Sequence, residues 1–340
     1  MEVGQRMNGI ALDESDLLEG PPLEGITHKV EKKKLRDERD KQAIKEKSFF
    51  NNVTDTKGEV GRPKSRRIDR PNILLCSPKQ ATWSRRMMAR LHNPLRKEIS
   101  DIYTMLEVLF HEPKAVRSYH CNLFFARWDH LCSYLTAEFE GEQQIFFREL
   151  IQADKELPED LSSSRIKSYA DLVQGIVNAM GEAERGVQNR PPIEPLQKAV
   201  KALEDIGIIL EYMDDIERLI PPLLEQIADE EAGLKLEKKM ILFMNKNGDY
   251  PQFNVLMMLN KLDKEEGKWL TNHACSMGVR IRIANYRTRF KVLHVRPLKE
   301  IVASLGGEMF EEYSEQTKKS ALVSPQSVIE KKQIVSKEES

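Results

Sequence analysis

Two stretches of the chain carry apolar residues at the three- and four-residue steps of an amphipathic helix, with carboxylates among them. They cover residues 127–150 and 206–229. In each stretch the repeat turns one apolar stripe toward a core and leaves polar residues at its edge. Glu138 and Glu142 are four residues apart and therefore share a face of the first helix, while Glu217 falls at the edge of the second stripe. Two such helices side by side predict a helical bundle.

The same periodicity predicts helices on both sides of these two stretches. Asn93 and Pro94 have the residue types of an N-cap and a first helical residue, so the first bundle helix is expected to begin there. Pro221 and Pro222 are expected to kink or interrupt the fourth. The predicted bundle spans are 94–111, 119–152, 162–181 and 195–229, followed by 230–244, 250–262 and two helices within 270–305.

Polar segments bound this helical region. The chain has 340 residues, a mean hydropathy of −0.53 and 31% charged residues, which indicates that part of it is not packed. The predicted organisation is a disordered charged region at 1–72, a four-helix bundle at 73–229, a helical extension at 230–311 and a disordered tail at 312–340. The predicted fold class is all-α, an up-down four-helix bundle with additional C-terminal helices.

Charge and cysteine content exclude several classes of protein. The 53 Lys and Arg against 54 Asp and Glu leave a net charge of −1, which indicates neither nucleic acid nor membrane as a partner. Four cysteines without CxxC spacing argue against a disulfide framework and a zinc knuckle. The N-terminal residues lack the apolar run of a signal peptide, and no segment approaches the ~20 apolar residues that cross a bilayer. A soluble cytoplasmic protein is therefore expected.

Two basic segments carry competing interpretations. Arg62, Lys64, Arg66 and Arg67 form either a nuclear-import or nucleic-acid contact or part of a solvated linker, and the linker is favoured because short basic runs are common there. Residues 280–291 interleave arginines with apolar residues. They predict either a helix that covers the bundle with its arginines in solvent or one that binds an anion or a membrane surface. Both segments are also candidate contact surfaces for protein partners of unknown identity.

The carboxylates within the bundle are the candidate chemistry. Helical bundles hold di-metal sites in their cores, with carboxylates and histidines projecting inward from several helices at one level. Glu138, Glu142 and Glu217, with His92 from the first helix and Tyr212 as a fifth member, are the candidate metal ligands. No phosphate-binding loop, nucleophile elbow or Cys–His pair predicts a reaction, so a non-catalytic role is favoured.

The chain resembles the hemerythrin-like domains, whose first helix opens with a histidine followed by an aliphatic and two basic residues. LHNPLRKEI at residues 91–99 matches that opening, and EFEGEQQIFFR at 138–148 corresponds to the family's HHxxEExxxFP. Residues 212–221 follow the outline HLxxEExxxP of the fourth helix. The resemblance spans about residues 91–229 and implies a four-helix bundle with a di-iron site, in which Glu142 matches the bridging carboxylate.

The chain departs from the family at most ligand histidines. The second helix has Glu138 and Phe139 in their place, the fourth has Tyr212, and the third helix contains no histidine. Carboxylate oxygens favour harder ions than imidazole does, so reversible oxygen binding is not expected. Three residues of this chain stand where the family has metal ligands and are themselves of a ligand type: His92, Glu142 and Glu217.

Three functions remain open at this point. The first is a hemerythrin-like bundle with a degenerate metal site that acts as a binding or sensing module. The second is a di-iron or di-manganese carboxylate protein that handles metal or acts as an oxidase. The third is a metal-free helical scaffold in which aromatic side chains fill the old site. Carboxylate oxygens of Glu138, Glu142 and Glu217 within a few Å of His92 would favour metal, since buried carboxylates require cations.

Overall fold

The computed structural model describes residues 68–76 and 81–306, and all regular secondary structure in these ranges is helical. The prediction of an all-α protein is thereby confirmed. The segments predicted to be disordered lie largely outside the described residues, as does the basic run at residues 62–67. Within the described ranges, no helix combines the length and apolar character needed to cross a membrane.

The described residues form eleven α-helices, with short π-helical or 3₁₀ segments at three of the junctions. A π-helical segment, Glu142–Phe147, joins α2 to α3, a 3₁₀ turn, Glu159–Leu161, precedes α4, and a second π-helical segment, Lys291–Val295, joins α10 to α11. The helices are α1 (Trp83–His111), α2 (Ser118–Gly141), α3 (Arg148–Gln152), α4 (Ser163–Arg185), α5 (Ile193–Ala202), α6 (Ile206–Ile227), α7 (Glu230–Met244), α8 (Pro251–Lys261), α9 (Lys264–His273), α10 (Met277–Phe290) and α11 (Arg296–Leu305).

The long helices pack on one another through their apolar stripes. Helix α1 contacts α2 and α6, and α4 contacts the same two helices. Helices α8 and α11 cover the remaining sides of α1 and α2. Side chains such as Leu106, Phe124 and Ile216 are fully buried between them. Burial of each such side chain contributes about 1.5–3 kcal/mol, so these stripes stabilise helices whose intrinsic propensities alone would not.

Helix α1 begins at Trp83, so the predicted start at Pro94 is wrong. The apolar residues before Pro94, including Leu91, are buried, and their packing stabilises the extra turns although the proline lacks an N–H for the helix. Asn93 is therefore not an N-cap. Its side chain instead accepts a hydrogen bond from the Cys76 backbone N–H and donates one to the Cys76 carbonyl, each at 2.8 Å. This pair of bonds holds residues 68–76 against α1.

The predicted fourth helix is two helices, α5 and α6, separated by a turn after Ala202. The Tyr103 hydroxyl donates a hydrogen bond to the Leu203 carbonyl at 3.1 Å and so provides that group with a partner where the helix stops. Pro221 and Pro222 lie inside α6 without interrupting it, because their neighbours Ile220 and Leu224 are buried in the core.

Candidate metal centre

His92 lies at the centre of a group of buried carboxylates contributed by three segments. Its Nε2 atom is 2.8 Å from Glu142 Oε1 and 2.9 Å from Glu138 Oε1. Its Nδ1 atom is 2.8 Å from Glu217 Oε1. Both ring nitrogens of one imidazole therefore face carboxylate oxygens.

Local helix geometry explains why these side chains meet. His92 projects from the middle of α1, and Glu217 projects from α6, which packs on α1. Glu138 belongs to the last turn of α2 and Glu142 is the first residue of the π-helical segment, so the two carboxylates come from consecutive turns. A π-helical turn is wider than an α-helical one and frequently occurs at functional sites.

Burial separates this arrangement from a solvated acidic cluster. His92, Glu138 and Glu142 are each at least 98% buried. Glu138 Oε1 lies 2.9 Å from His92 Nε2 but forms no hydrogen bond there or with any other described residue. A buried carboxylate is costly, of order 1–3 kcal/mol or more, unless a cation lies beside it, and without metal that cation is protonated His92.

The Nδ1 side of His92 is occupied by protein groups. Glu217 accepts a hydrogen bond from Arg96 Nη1 through the same Oε1 atom that faces Nδ1. Arg96 Nη2 donates to Asp214 Oδ1 at 2.5 Å. Arg96 is fully buried and lies one helical turn after His92 on α1, so both side chains face α6.

Aromatic rings form the wall of the site opposite Arg96. The Tyr212 hydroxyl donates a hydrogen bond to Glu142 Oε2 at 2.9 Å. The Tyr212 ring packs against Phe139 and Tyr169, with centroid separations of 5.1 and 4.7 Å. These aromatics fill the space beside the carboxylates but do not separate them from His92.

The ionisation of these groups is strongly coupled. Burial alone would lower the pKa of His92, but the charge of Glu138 and the hydrogen bonds to Glu142 and Glu217 outweigh burial and hold that pKa well above its usual value. Burial and the nearby Glu138 charge raise the pKa of Glu142 to about 7, against the effect of His92. Burial also disfavours ionisation of Glu217, yet His92 and Arg96 lower its pKa to about 2. The directions of these shifts favour protonated His92 and ionised Glu217 in the metal-free centre.

A cleft of about 300 Å³ reaches the edge of the cluster at Glu217. Cys76, Met88, Asp214 and Arg218 are among the residues that line it. Burial, followed by the charge of Glu217, raises the pKa of the Cys76 thiol, so this cysteine is expected to stay protonated. The cleft exposes Glu217 to solvent, while His92, Glu138 and Glu142 stay buried behind it.

All five predicted site residues lie in this one cluster: His92, Glu138, Glu142, Tyr212 and Glu217. Three of them, His92, Glu138 and Glu142, offer ligand atoms that all lie within 4.8 Å of one another. Sequence reasoning missed Arg96 and Cys76. The arginine, four residues after His92 on the predicted helix, could have been found by its helical spacing, whereas nothing in the sequence places Cys76 beside α6.

Comparisons of the chain with protein-family models, with curated proteins and with solved structures find no match. The hemerythrin-like resemblance therefore rests on the residues quoted above and stays a prediction.

Proposed function

We propose that this chain is a hemerythrin-like helical-bundle protein whose depleted site binds a divalent transition metal, iron or manganese, in a binding or sensing role. The observation that carries the proposal is the placement of Glu138 and Glu142 oxygens 2.9 and 2.8 Å from one nitrogen of the buried His92. Buried carboxylates of this kind require a cation, and a divalent ion at His92 Nε2 would take the place of the proton that fills this role without metal.

The spacing of the donors fits a single ion. Ligands at about 2.1 Å from an octahedral ion stand about 3 Å apart at neighbouring positions. The separations between His92 Nε2 and the two carboxylate oxygens match that value, and all three donors are mutually within reach. Glu138 Oε1, which lacks a hydrogen-bond partner in the described part of the chain, then becomes a metal ligand.

The other two predicted residues have orienting roles in this proposal. Glu217 accepts the Nδ1 hydrogen of His92, which fixes the ring with Nε2 toward the metal, as carboxylate–histidine–metal arrangements do. Tyr212 holds Glu142 through its second oxygen. One imidazole and two carboxylates suit iron(II) or manganese(II) better than softer ions. Reversible oxygen carriage is not part of the proposal, because the imidazole-rich set that it relies on is missing.

Metal content tests the proposal directly. Protein purified from cells supplied with iron and manganese is expected to contain near-stoichiometric metal by elemental analysis, and anaerobic titration with Mn(II) should show saturable binding. Glu142→Gln removes one ligand charge while keeping its shape, and we expect binding to weaken at least tenfold. Glu149→Gln, on the surface pair with Lys239, is the matched control and should bind metal normally. A metal-free protein that also fails to bind Mn(II) would leave the scaffold interpretation.

A second candidate function rests on the surface of α10. Residues 267–299 contain no Asp or Glu and eight Lys or Arg, although the whole chain is nearly neutral. Met277 and Ile281, four residues apart, are 73% and 52% exposed, and Val292 further along is also exposed. Exposed apolar side chains can enter a lipid surface, and cations beside them are attracted to anionic lipids by about 1 kcal/mol each. We propose that α10 docks there.

Sedimentation with vesicles distinguishes this candidate. Vesicles that contain phosphatidylserine should bind the protein in a salt-sensitive manner, while phosphatidylcholine vesicles should not. Ile281→Asp is expected to abolish binding, and Ile208→Asp, at an exposed apolar position on α6, should leave it unchanged. Equal binding to both kinds of vesicle, or none to either, would count against membrane docking.

A further inference from the structure

Arg96 is a permanently charged group inside the candidate metal centre. It is 1% exposed, and both of its terminal nitrogens are used: Nη1 by Glu217 and Nη2 by Asp214. A guanidinium keeps its charge at all physiological pH values, so it acts as a fixed cation at this position. Its neighbour Glu217 is only slightly exposed, whereas Asp214 is largely in solvent.

The position of this cation limits where a metal ion can bind. Glu217 Oε1 already contacts both His92 Nδ1 and Arg96 Nη1. That oxygen is therefore not free to bind a metal ion on the Nδ1 side of the imidazole. On the Nε2 side, oxygens of Glu138 and Glu142 both approach the imidazole, and no arginine among the described residues pairs with either carboxylate. Among the residues that the structure describes, His92, Glu138 and Glu142 are the one group of three whose donors are close enough to share an ion.

The sum of the charges in the centre also limits the number of metal ions that it can hold. Glu138, Glu142 and Glu217 contribute three negative charges when ionised, and Arg96 contributes one positive charge. One divalent ion bound to a neutral His92 brings the sum to zero, whereas a second divalent ion would leave two uncompensated positive charges. Uncompensated buried charge is strongly unfavourable, so the second ion is excluded.

We infer that Arg96 takes the place of a second metal ion, so that the centre binds one divalent ion per chain and not two. This inference rests on the proposed metal-binding function and narrows it to a mononuclear site. The consequence is chemical: a single ion between His92, Glu138 and Glu142 has no partner metal with which to share the bridging and electron-transfer steps of a di-metal centre. Binding or sensing of one ion is the role that this leaves.

Manganese(II) tests the inference, because its stoichiometry and its electron paramagnetic resonance spectrum both report the number of neighbouring ions. The full-length protein at saturation is expected to bind one Mn(II) per chain and to give the spectrum of an isolated ion. Arg96→Met removes the fixed charge and frees both Glu217 and Asp214, so four carboxylates are available to balance two divalent ions. The stoichiometry of this variant should rise toward two, with spin coupling between the ions. Arg96→Lys keeps a positive charge and should stay at one.

Arg90→Met is the matched control, because Arg90 is also a buried arginine of α1 but pairs with Glu237 away from His92. It should leave the stoichiometry at one. Two coupled ions in the unaltered protein, or one ion in a folded Arg96→Met variant, would overturn the inference, while the proposed function would stand. No bound Mn(II) at all would instead remove the proposed function, and the inference with it. Should Arg96→Met fail to fold, the spectrum of the unaltered protein still decides between one ion and two.

Discussion

His92 shows how one side chain couples the protonation of the candidate centre to the stability of the fold. The raised pKa of His92 means that the folded state holds a proton that the unfolded chain releases above about pH 6.5. Glu142, whose pKa is raised to about 7 by burial and by Glu138, behaves in the same way above its ordinary value of 4.5. Glu217, with its pKa lowered to about 2, acts in the opposite direction and only in acid.

The signs of these shifts predict how stability depends on pH in metal-free protein. Between about pH 5 and pH 8 the folded state binds more protons than the unfolded state at Glu142 and His92, so the free energy of unfolding should fall as pH rises. We expect a decrease on the order of 1–3 kcal/mol from the Glu142 contribution. As pH drops from 4.5 toward the folded pKa of Glu217, about 2, the free energy of unfolding should also fall, because the stabilising charge of Glu217 is lost. Urea unfolding monitored by circular dichroism at several pH values measures this curve, and Glu142→Gln should flatten the part between pH 5 and pH 7.

Metal should reverse the loss at high pH. A divalent ion competes with the protons on His92 and Glu142, so its binding strengthens as pH rises through the range in which these groups release them. The rise in melting temperature on adding Mn(II) is expected to be larger at pH 8 than at pH 5.5. An equal rise at both values would contradict binding at this cluster, whose ligand atoms carry exchangeable protons.

Tyr212 provides a test of a single hydrogen bond. Tyr212→Phe removes the donor to Glu142 Oε2 and leaves that buried oxygen without its partner, while the ring contacts with Phe139 and Tyr169 are kept. The expected cost in unfolding free energy is about 1–3 kcal/mol without metal. Thermal unfolding with and without Mn(II) measures it. Tyr169→Phe, which changes a neighbouring ring without touching Glu142, is the control and should cost less.

At the scale of elements, the ends of α1 and α6 were harder to predict from the sequence than their apolar stripes. The stripe of the first helix was visible in the sequence, but its start at Trp83 was not, because Pro94 ordinarily marks a helix beginning. The burial of residues before Pro94 overrode that local preference. The break between α5 and α6 was likewise hidden, since the turn after Ala202 depends on a hydrogen bond from Tyr103, about one hundred residues earlier.

Asn93 tests how residues 68–76 are attached to α1. Asn93→Ala removes both hydrogen bonds to the Cys76 backbone, and each is worth about 0.5–1.5 kcal/mol. The segment should then open more often, and the Cys76 thiol should react faster with a disulfide reagent while the helical content is unchanged. Asn178→Ala, on the exposed face of α4, is the control. An unaltered reaction rate at Cys76 would show that other contacts hold the segment.

At the scale of the whole molecule, a second buried ionic network joins the C-terminal helices to α1 and α2. Glu98 lies 2.7 Å from Arg127 and 3.1 Å from His294, and Lys261 pairs with the same carboxyl group and with Asp101. Burial opposes ionisation of Glu98, but the charges of Arg127, His294 and Lys261 outweigh it and hold the pKa of Glu98 well below its usual value. The network contains no cluster of three close metal-ligand atoms among the described residues.

Glu98→Gln therefore tests attachment of the C-terminal helices without altering the candidate metal centre. Glu98→Gln leaves Asp101 as the one carboxylate shared by buried Arg127 and Lys261, and removal of one partner from a buried ion pair costs about 3–5 kcal/mol. Chemical denaturation should show that loss, while Mn(II) stoichiometry in the folded variant stays as in the unaltered protein. A change in stoichiometry would mean that the two buried networks are not independent.

The sequence by itself determined the all-helical class of the part that the structure describes and the apolar face of each long helix, because these properties depend on residues three and four positions apart. It also singled out His92, Glu138, Glu142, Tyr212 and Glu217, through their spacing and the hemerythrin-like resemblance. Only the tertiary structure decided how these side chains face one another. The pairing of Arg96 with Glu217, and hence the separation of the two sides of His92, depends on contacts between α1 and α6. Such contacts join residues more than one hundred positions apart, and no local pattern encodes their distances.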